Sequence, residues 1–517
     1  MPLGAEPTLP LSQKIDPKNG ADVFTNLGDL IDRNRAQDKL AIIDLGSPLG
    51  PREYSYGEFD ALARGTAKAL VTKGLARGTR VALLGNNSAE YFATFCGIMR
   101  AGMVAVPVNF KFPRETIHYI IKNSGAKFVF CDTPRRADCP IDLPVIEISN
   151  GGLDSFIDSS PFKSITPTKN EPAMFLYTSG STGMPKGVVL SHQSHLWVVK
   201  TRLDADDLIN HVFLIAAPMF HMNALALAQL AIAAHATIVL LPEFNAAAYI
   251  DAIKRFRCTW LTAVPPMIAM ILRDPSLEKS DLSSVKNIRM GSAPVSESLM
   301  SATRKAFPKA AVSNAYGTTE AGPVVFSKHP KGLVQPALSV GYPHNGVELR
   351  LTGVGAPEEG VLEIKCPALM NGYHNRPDLP QPMTEDGFNI TGDVFRRNEN
   401  GFHFFVGRTD EMFVSGGENI YPGDVERMLE SHPDIAQACV VPIEDDIKGQ
   451  KPVAFVIPRA GSEPSADAVK TYALAHAPAY QHPRFVWFLE KLPLATTNKI
   501  DRAELIRLAH KILAANG

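Results

Sequence analysis

The fold is decided by one short stretch, Tyr177-Thr178-Ser179-Gly180-Ser181-Thr182-Gly183-Met184-Pro185-Lys186-Gly187. It follows the apolar run 173–176, so it is predicted to be a loop that leaves a β-strand. Its three inner glycines let the backbone turn with positive φ and approach a ligand closely. Hydroxyl groups, backbone N–H groups and the ammonium of Lys186 are suited to hold phosphate oxygens. It is not a Walker A loop, because Pro185 precedes the lysine and Gly187 follows it.

Strand and helix patterns alternate on both sides of this loop. Residues 56–72 and 89–100 carry apolar side chains at helical spacing, whereas 80–85 and 104–108 are short apolar runs. A similar alternation recurs through residues 170–300. Strands that alternate with helices of 10–15 residues favour parallel βαβ units, so an α/β fold with a large domain of βαβ-layered sheets is predicted.

The last hundred residues are predicted to form a separate, small and mobile α+β domain. Pro422 is expected to begin a helix, and further elements are expected at 436–441 (strand), 453–457 (strand), 466–475 (helix) and 485–489 (strand). The polar turn Arg408-Thr409-Asp410 marks the boundary. The predicted domains are therefore residues 1–409 and 410–517.

Composition excludes several classes of protein. The chain has 517 residues, which exceeds the size of a single core and favours more than one domain. Hydrophobic residues make up 45% and charged residues 20%, so global disorder is excluded. The 52 Lys and Arg nearly balance the 53 Asp and Glu, which argues against a nucleic-acid partner.

Sequence features also bear on the compartment. The six cysteines form no CxxC pair, as expected of reduced thiols. Residues 1–16 lack the basic start and apolar run of a signal peptide. The most apolar window, 224–241, is interrupted by polar residues and is predicted to be a buried helix and strand, so no integral membrane segment is expected. A cytoplasmic protein is the resulting expectation.

Further motifs follow the loop in a fixed order. They are Asn314-Ala315-Tyr316-Gly317-Thr318-Thr319-Glu320, Asp386-Gly387-Phe388 with Thr391-Gly392-Asp393, Gly407-Arg408-Thr409-Asp410, the segment 416–422, and the segment 492–499 that ends at Lys499. Together with the loop 177–187, this series resembles the acyl-adenylate-forming superfamily, the acyl- and aryl-CoA synthetases and their relatives, over residues 25–510. Three positions depart from the usual pattern: Ser181 stands for threonine, Phe388 for tryptophan and Asn498 for glycine.

The resemblance implies a nucleotide site whose residues have plausible physical roles. A carboxylate oxygen of Glu320 suits Mg²⁺ that bridges ATP phosphates. Tyr316 offers an aromatic face to adenine, Asp393 can accept both ribose hydroxyl protons, and Arg408 can reach the ribose or the α-phosphate. The residues expected to bind ATP or AMP are Thr178, Ser179, Gly180, Ser181, Thr182, Gly183, Lys186, Asn314, Ala315, Tyr316, Gly317, Thr318, Thr319, Asp393 and Arg408.

Lys499 is the residue expected to carry the chemistry, with Glu320 and His221. Attack of a carboxylate on the α-phosphate brings two anions together, and an ammonium that bridges them lowers the barrier electrostatically. No general base is needed, because a carboxylate is already ionised near neutral pH. By the resemblance, His221 lies at the mouth of the acyl pocket and helps to close it. His192 and His195, three residues apart, are interpreted as structural.

The resemblance also implies the lining of the acyl pocket: His221, Asn223, Met290, Gly291, Ser292, Ala293, Gly322 and Pro323. The segments that contain them, 221–225, 290–293 and 317–325, have no Lys or Arg, so a dicarboxylic acid is not expected. Their small residues leave room for a flat or medium-length acid. The segment Glu320-Ala321-Gly322-Pro323-Val324 is similar to the 4-coumarate–CoA ligase branch, which favours an aromatic acid of the hydroxycinnamate or benzoate type. A medium-chain fatty acid is the alternative.

The implied reaction has two steps, adenylation by ATP and transfer of the acyl group to a thiol. The C-terminal domain is expected to rotate about Asp410, and the other orientation would line a pantetheine tunnel with Ser415, Gly416 and Gly417. Free CoA is the expected acceptor, because only 18 residues follow Lys499. Loading of a separate carrier protein, an oxidative luciferase-like activity and a non-catalytic nucleotide-binding role are the alternatives. Acid, ATP and CoA are the expected partners of a monomer or homodimer.

Overall fold

A computed structural model gives the structure of the chain. It describes residues 24–47, 50–149, 151–178, 184–353, 358–495 and 499–516. Five residues of the predicted phosphate loop, Ser179 to Gly183, lie outside the described residues, and so does Asn498.

The helices are α1 (Tyr56–Thr72), α2 (Ala89–Arg100), α3 (Arg114–Ser124), α4 (Gly152–Phe156), α5 (His192–Ala205), α6 (Met222–Ala233), α7 (Ala246–Phe256), α8 (Pro265–Arg273), α9 (Glu297–Ala306), α10 (Pro422–Glu430), α11 (Ala466–His476) and α12 (Arg502–Asn516). Helices α1, α2, α6, α10 and α11 agree with the predicted positions, and the described residues form seven further helices. None of the helices in the described ranges combines the length and the apolar character needed to cross a bilayer.

The described residues form twenty-five strands. They are β1 (Leu40–Asp44), β2 (Arg52–Ser55), β3 (Arg80–Leu84), β4 (Val104–Pro107), β5 (Phe128–Cys131), β6 (Val145–Glu147), β7 (Pro172–Thr178), β8 (Lys186–Ser191), β9 (Val212–Ile215), β10 (Thr237–Leu240), β11 (Trp260–Ala263), β12 (Asn287–Gly291), β13 (Ala311–Ala315), β14 (Phe326–Ser327), β15 (Tyr342–Pro343), β16 (Glu348–Gly353), β17 (Glu359–Lys365), β18 (Tyr373–His374), β19 (Asn389–Arg397), β20 (His403–Arg408), β21 (Phe413–Ser415), β22 (Glu418–Ile420), β23 (Ile435–Asp445), β24 (Gly449–Pro458) and β25 (Phe485–Phe488).

Two seven-stranded sheets build the large N-terminal part. Their strand orders are β13-β12-β11-β9-β10-β1-β2 and β18-β8-β7-β4-β3-β5-β6. In the first sheet, neighbouring strands in the order β1-β10-β9-β11-β12-β13 pair in parallel. In the second sheet, β3 pairs in parallel with both β4 and β5. These pairings confirm the predicted βαβ units. The largest apolar core joins both sheets, with Phe213 from one and Leu83 from the other around α1, α2 and α6.

Helix α1 begins and ends where the sequence predicts, because its signals are local. Ser55 caps its first turn, and the Glu58 carboxylate accepts a hydrogen bond from the Ser55 backbone, which forms a capping box. Helix α2 crosses α1 so closely that a Cβ at Gly97 would lie 2.7 Å from the Ala63 carbonyl oxygen. A glycine is therefore required at this crossing, and the pair fills the space between the two sheets.

Antiparallel sheets make up the rest. A four-stranded sheet, β16-β17-β19-β20, has its strands between residues 348 and 408, where no element was predicted. The C-terminal sheet has the order β22-β21-β24-β23, with β25 parallel to β24. Helix α12 was also not predicted; it is anchored by the guanidinium of Arg502, whose Nη1 donates to Glu426 at 2.6 Å. All six cysteines are free and buried.

Candidate active site

A cavity of about 1070 Å³ lies at the carboxyl ends of β9, β11, β12 and β13. Helices α5 and α6 close one side, and the small C-terminal part closes the other with α10 and Lys499. Ligands of parallel α/β sheets bind at this edge, because the loops that leave the strands converge there. Thr178 and Lys186, which flank the phosphate loop, both line the cavity.

The phosphate end of the cavity contains a triad that the motifs predicted only in part. The ammonium of Lys186 donates to the Tyr373 hydroxyl at 2.7 Å, and this hydroxyl donates to Glu320 Oε1 at 3.0 Å. Lys186 Nζ also lies 3.6 Å from Glu320 Oε1 and 4.2 Å from the centre of the Tyr373 ring. Tyr373 therefore fixes a cation and a carboxylate relative to each other, beside the loop that was predicted to bind phosphate.

Glu320 is presented by a tight turn that follows β13. Thr318 Oγ1 accepts a hydrogen bond from the Ala321 N–H at 2.9 Å, and the Glu320 carbonyl accepts one from Met370 at 2.8 Å. A Cβ at Gly317 would lie 2.6 Å from Pro323 Cα, so the turn requires glycine at that position. Gly317, Thr318 and Thr319 line the cavity together with Glu320.

A second cluster joins Tyr316, Asp393 and Arg408. The Tyr316 hydroxyl donates to Asp393 Oδ2, and Arg408 Nη1 donates to Asp393 Oδ1 at 2.7 Å. Arg408 Nε donates to Asp410 at 2.8 Å, so two carboxylates hold this guanidinium. Burial raises the pKa of Asp393, against the lowering effect of Arg408. Asn314 is fixed through its Nδ2, which donates to the Leu338 carbonyl at 2.9 Å, and both Asn314 and Ala315 line the cavity.

Lys499 belongs to the same cavity. Its carbonyl accepts a hydrogen bond from the Ala495 N–H at 2.7 Å, and the next residue, Ile500, forms a β-bridge with Leu494. Lys499 is exposed to solvent within the cavity, and the cavity walls enclose it. The loss of bulk water and the positive charge of Arg408 lower the pKa of Lys499, while Asp393 and Glu411 oppose this effect.

His221 lies directly before α6, at the edge of the cavity. Its Nε2 is buried and has no hydrogen-bond partner among the described residues. Burial, Lys499 and Lys111 lower the pKa of His221 to about 4, so the ring is neutral at pH 7. A neutral ring with a free nitrogen can donate or accept one hydrogen bond, depending on its tautomer.

The predicted acyl lining is brought together with two exceptions. His221, Asn223, Gly291, Ser292, Ala293 and Pro323 all line the cavity. Met290 does not: its side chain points to the other face of β12 and is fully buried in an apolar core. Gly322 is also turned away, because a Cβ there would meet Ala368 at 2.7 Å rather than the cavity.

Three arginines outside the segments predicted to line the acyl pocket also line the cavity. Arg202 on α5, Arg289 on β12 and Arg273 at the end of α8 all line the cavity. Arg289 lies one residue before the predicted segment that begins at Met290, and Arg202 and Arg273 are on helices outside all the predicted segments. Side chains alternate along a strand, so the residue before Met290 faces the cavity when Met290 does not.

The segment predicted to form a CoA tunnel lies elsewhere. Ser415, Gly416 and Gly417 form the turn between β21 and β22, where the glycines have φ of 61° and 90°. None of the three lines the cavity, whereas Asp410 and Lys499 do. His192 and His195 are buried away from it; His192 Nδ1 accepts a hydrogen bond from the Leu27 N–H at 3.0 Å, in line with the structural interpretation.

Comparison with known proteins places this arrangement in a family. A family model described as AMP-binding enzyme matches residues 32–374, and one described as AMP-binding enzyme C-terminal domain matches residues 424–499. The chain belongs to the AMP-binding enzyme family. This confirms the resemblance found in the sequence and the predicted two-part α/β architecture.

Among the relatives of this AMP-binding enzyme is a feruloyl-CoA synthase of Amycolatopsis sp. The two chains are 31% identical over 468 residues, which cover 89% of this chain and 94% of the relative. A 4-coumarate–CoA ligase 3 of Arabidopsis thaliana is 30% identical over 487 residues, or 88% of this chain and 86% of the relative. The crystal structure of ATP-bound MatB from Rhodopseudomonas palustris superposes with a TM-score of 0.85 at 26% identity, covering 94% of this chain and 99% of that one.

Proposed function

We propose that this chain is an AMP-forming ligase that joins a carboxylic acid to CoA in two steps. The observation that carries the proposal is the convergence of Lys499, Glu320, Asp393 and Arg408 on one cavity. The carboxyl ends of the parallel strands would then be the place where a nucleotide and the carboxylate of the acid meet the Lys499 ammonium.

In the first step, a carboxylate oxygen of the acid attacks the α-phosphorus of ATP. The new O–P bond forms as the bond to the β-phosphate oxygen breaks, and pyrophosphate leaves. The ammonium of Lys499 stabilises the charge that accumulates on the phosphoryl oxygens and offsets the repulsion between two anions. His221 is neutral at pH 7, so it can contribute a hydrogen bond at the acyl side without a competing charge.

In the second step, the sulfur of CoA attacks the acyl carbon and AMP leaves with the bonding electrons. Support for a change of orientation comes from the placement of the two segments: Lys499 lines the cavity, and Ser415–Gly417 does not. The predicted hinge at Asp410, between domains 1–409 and 410–517, would exchange them. A turn of two glycines suits a narrow tunnel, since it presents no side chains.

Magnesium is expected to accompany ATP. Glu320 presents its carboxylate to the cavity, beside the Lys186 ammonium, and hard oxygen ligands of this kind are what the ion prefers. Among the described residues no group of three or more His, Cys, Asp or Glu could hold a metal ion. Glu320 would hold the ion, which would neutralise phosphate charge as the two anions approach.

An aromatic acid of the hydroxycinnamate or benzoate type is the proposed substrate. Two relatives that match most of the chain are named for feruloyl-CoA and 4-coumarate. The lining near Gly291 and Ala293 is small and leaves room for a flat ring. A medium-chain fatty acid is the second candidate, and a carrier protein is the second candidate for the acceptor.

The test is a product assay with purified full-length protein. MgATP, CoA and a panel of aromatic and aliphatic acids are supplied, and AMP, pyrophosphate and thioester are quantified. The proposal expects AMP, pyrophosphate and thioester in equal amounts. ADP as the nucleotide product would refute it, and AMP release that CoA does not influence would point to a carrier protein as the acceptor.

A further inference from the structure

We propose that the acyl end of the cavity selects an acid with a second anionic group, which pairs with Arg289 and lies beside Arg202. The expected substrate is therefore an aromatic dicarboxylate or an acid with an equivalent anionic substituent. This inference rests on the proposed function, because it concerns the acid that the ligase activates.

Strand register places Arg289 on the floor of the cavity. Ile288 and Met290, its neighbours on β12, are fully buried in the apolar core on one face of the sheet. Because side chains alternate, Arg289 faces the opposite side, where α5 lies and where the cavity opens. Thr262 on the adjacent strand β11 is its direct partner in the parallel register and also lines the cavity.

The polar groups at this point have no protein partner. Among the described residues, no hydrogen bond or ion pair involves the Arg289 guanidinium. The Thr262 hydroxyl is buried and likewise lacks a hydrogen-bond partner within that part of the chain. Most buried polar groups are hydrogen-bonded, so the unsatisfied Thr262 hydroxyl beside a guanidinium that faces the cavity indicates that a ligand completes both groups.

The local charge is also unbalanced. Arg202 lies 3.7 Å from Asp206, and the other oxygen of this carboxylate lies 3.8 Å from Lys328. Three cations, including Arg289, therefore share one carboxylate. Burial and the charge of Arg202 lower the pKa of Arg289 to about 9, against the opposing effect of Asp206. Arg289 is partly exposed to the cavity and shares its nearest counterion with two other cations, and a planar carboxylate matches a guanidinium in both charge and shape.

The arginine pair is separate from the reacting end of the cavity. Arg289 is on β12 and Arg202 is on α5, whereas Lys499 enters the cavity from the C-terminal part of the chain. The arginine pair and the lysine therefore line the cavity from different elements. When one carboxylate of the acid lies at Lys499, a second anionic group at the far end of the acid can pair with Arg289. A rigid aromatic ring would hold the two groups apart.

The test compares acids of matched shape that differ in the second anionic group. The pairs are benzoate with terephthalate and cinnamate with 4-carboxycinnamate, each assayed for pyrophosphate release with MgATP. We expect the wild-type protein to prefer the dicarboxylate by at least about tenfold in kcat/KM, a preference that Arg289→Met abolishes. Arg255→Met on α7, whose guanidinium is exposed and pairs with Asp251, is the matched control and should retain the wild-type preference.

Distinct results would overturn the inference. A wild-type preference for the monocarboxylates, or an equal loss for both members of each pair in Arg289→Met, would show that Arg289 is structural. If Arg289→Met does not fold, Arg289→Gln decides: loss of the preference for the dicarboxylate supports the inference, and loss of rate without a change in preference contradicts it. Failure of every acid to release pyrophosphate would instead refute the proposed ligase function.

Discussion

Replacing Tyr373 with Phe removes the hydroxyl that joins Lys186 to Glu320 and changes little else. The hydroxyl accepts from Lys186 Nζ at 2.7 Å and donates to Glu320 Oε1 at 3.0 Å. The aromatic ring stays in place, so its contact with the Lys186 ammonium at 4.2 Å is retained. The variant therefore tests whether the hydroxyl positions the two charged groups for ATP and magnesium.

The expected loss follows from the two hydrogen bonds. A hydrogen bond to a charged group contributes about 1.5–3 kcal/mol. Lys186 and Glu320 are 3.6 Å apart and can pair directly once the hydroxyl is gone, so the net loss corresponds to about one such bond. At about 1.4 kcal/mol per factor of ten, kcat/KM for ATP should fall roughly 10- to 150-fold.

The assay is acid-dependent exchange between ATP and pyrophosphate, with KM and kcat determined separately. Tyr342→Phe, on β15 and away from the cavity, is the matched control and should behave like the wild-type protein. Thermal unfolding of both variants checks that the fold is unchanged. A Tyr373→Phe protein with kcat/KM within twofold of wild type, or one equally impaired with the control, would refute the role assigned to this hydroxyl.

Two further perturbations have defined outcomes. Burial raises the pKa of Glu430 from 4.5 to about 7, against a hydrogen bond from the Ala438 N–H, so the folded state binds more protons than the unfolded state between these values. The free energy of unfolding should therefore fall as pH rises from 4.5 to about 7. At pH 8, the free energy of unfolding of Glu430→Gln should exceed that of the wild-type protein by up to roughly 3 kcal/mol. Urea titrations that show the same pH dependence in both proteins would contradict this. The Cβ of Gly291→Ala would lie 2.8 Å from the Ala315 carbonyl oxygen. We therefore expect the variant to be destabilised by about 1–3 kcal/mol and to lose pyrophosphate release. An unchanged melting temperature would show that β12 and β13 accommodate the methyl group without loss of stability.

The parts of the fold with local signals were predictable from sequence. Helices α1 and α2 begin and end at the predicted residues, because apolar periodicity and serine caps specify them within one segment. The antiparallel sheet of residues 348–408 and helix α12 were not predicted. These elements are stabilised by contacts with residues that are distant in sequence. Arg502 of α12, for example, donates a hydrogen bond to Glu426 of α10.

The candidate site divides in the same way. Residues inside contiguous motifs, such as Glu320 and Lys499, were predicted and do line one cavity. Tyr373 was missed because it reaches the site only through the pairing of β18 with β8, more than 180 positions away in sequence from Lys186. Arg289 was missed because its relevance depends on which face of β12 meets the cavity. A strand pattern that marks Met290 as buried would have predicted that the residue before it faces the other way.

The most direct test of the account is to measure the two half-reactions separately in Lys499→Ala. Pyrophosphate release should fall by about 100- to 1,000-fold, the usual cost of removing an electrostatic stabiliser of the transition state, while thioester formation from preformed acyl-adenylate and CoA stays near the wild-type rate. Lys491→Ala, which removes an exposed lysine outside the cavity, should leave both steps unchanged. Equal losses in both half-reactions, or unimpaired pyrophosphate release, would contradict the assignment of Lys499 to the adenylation step.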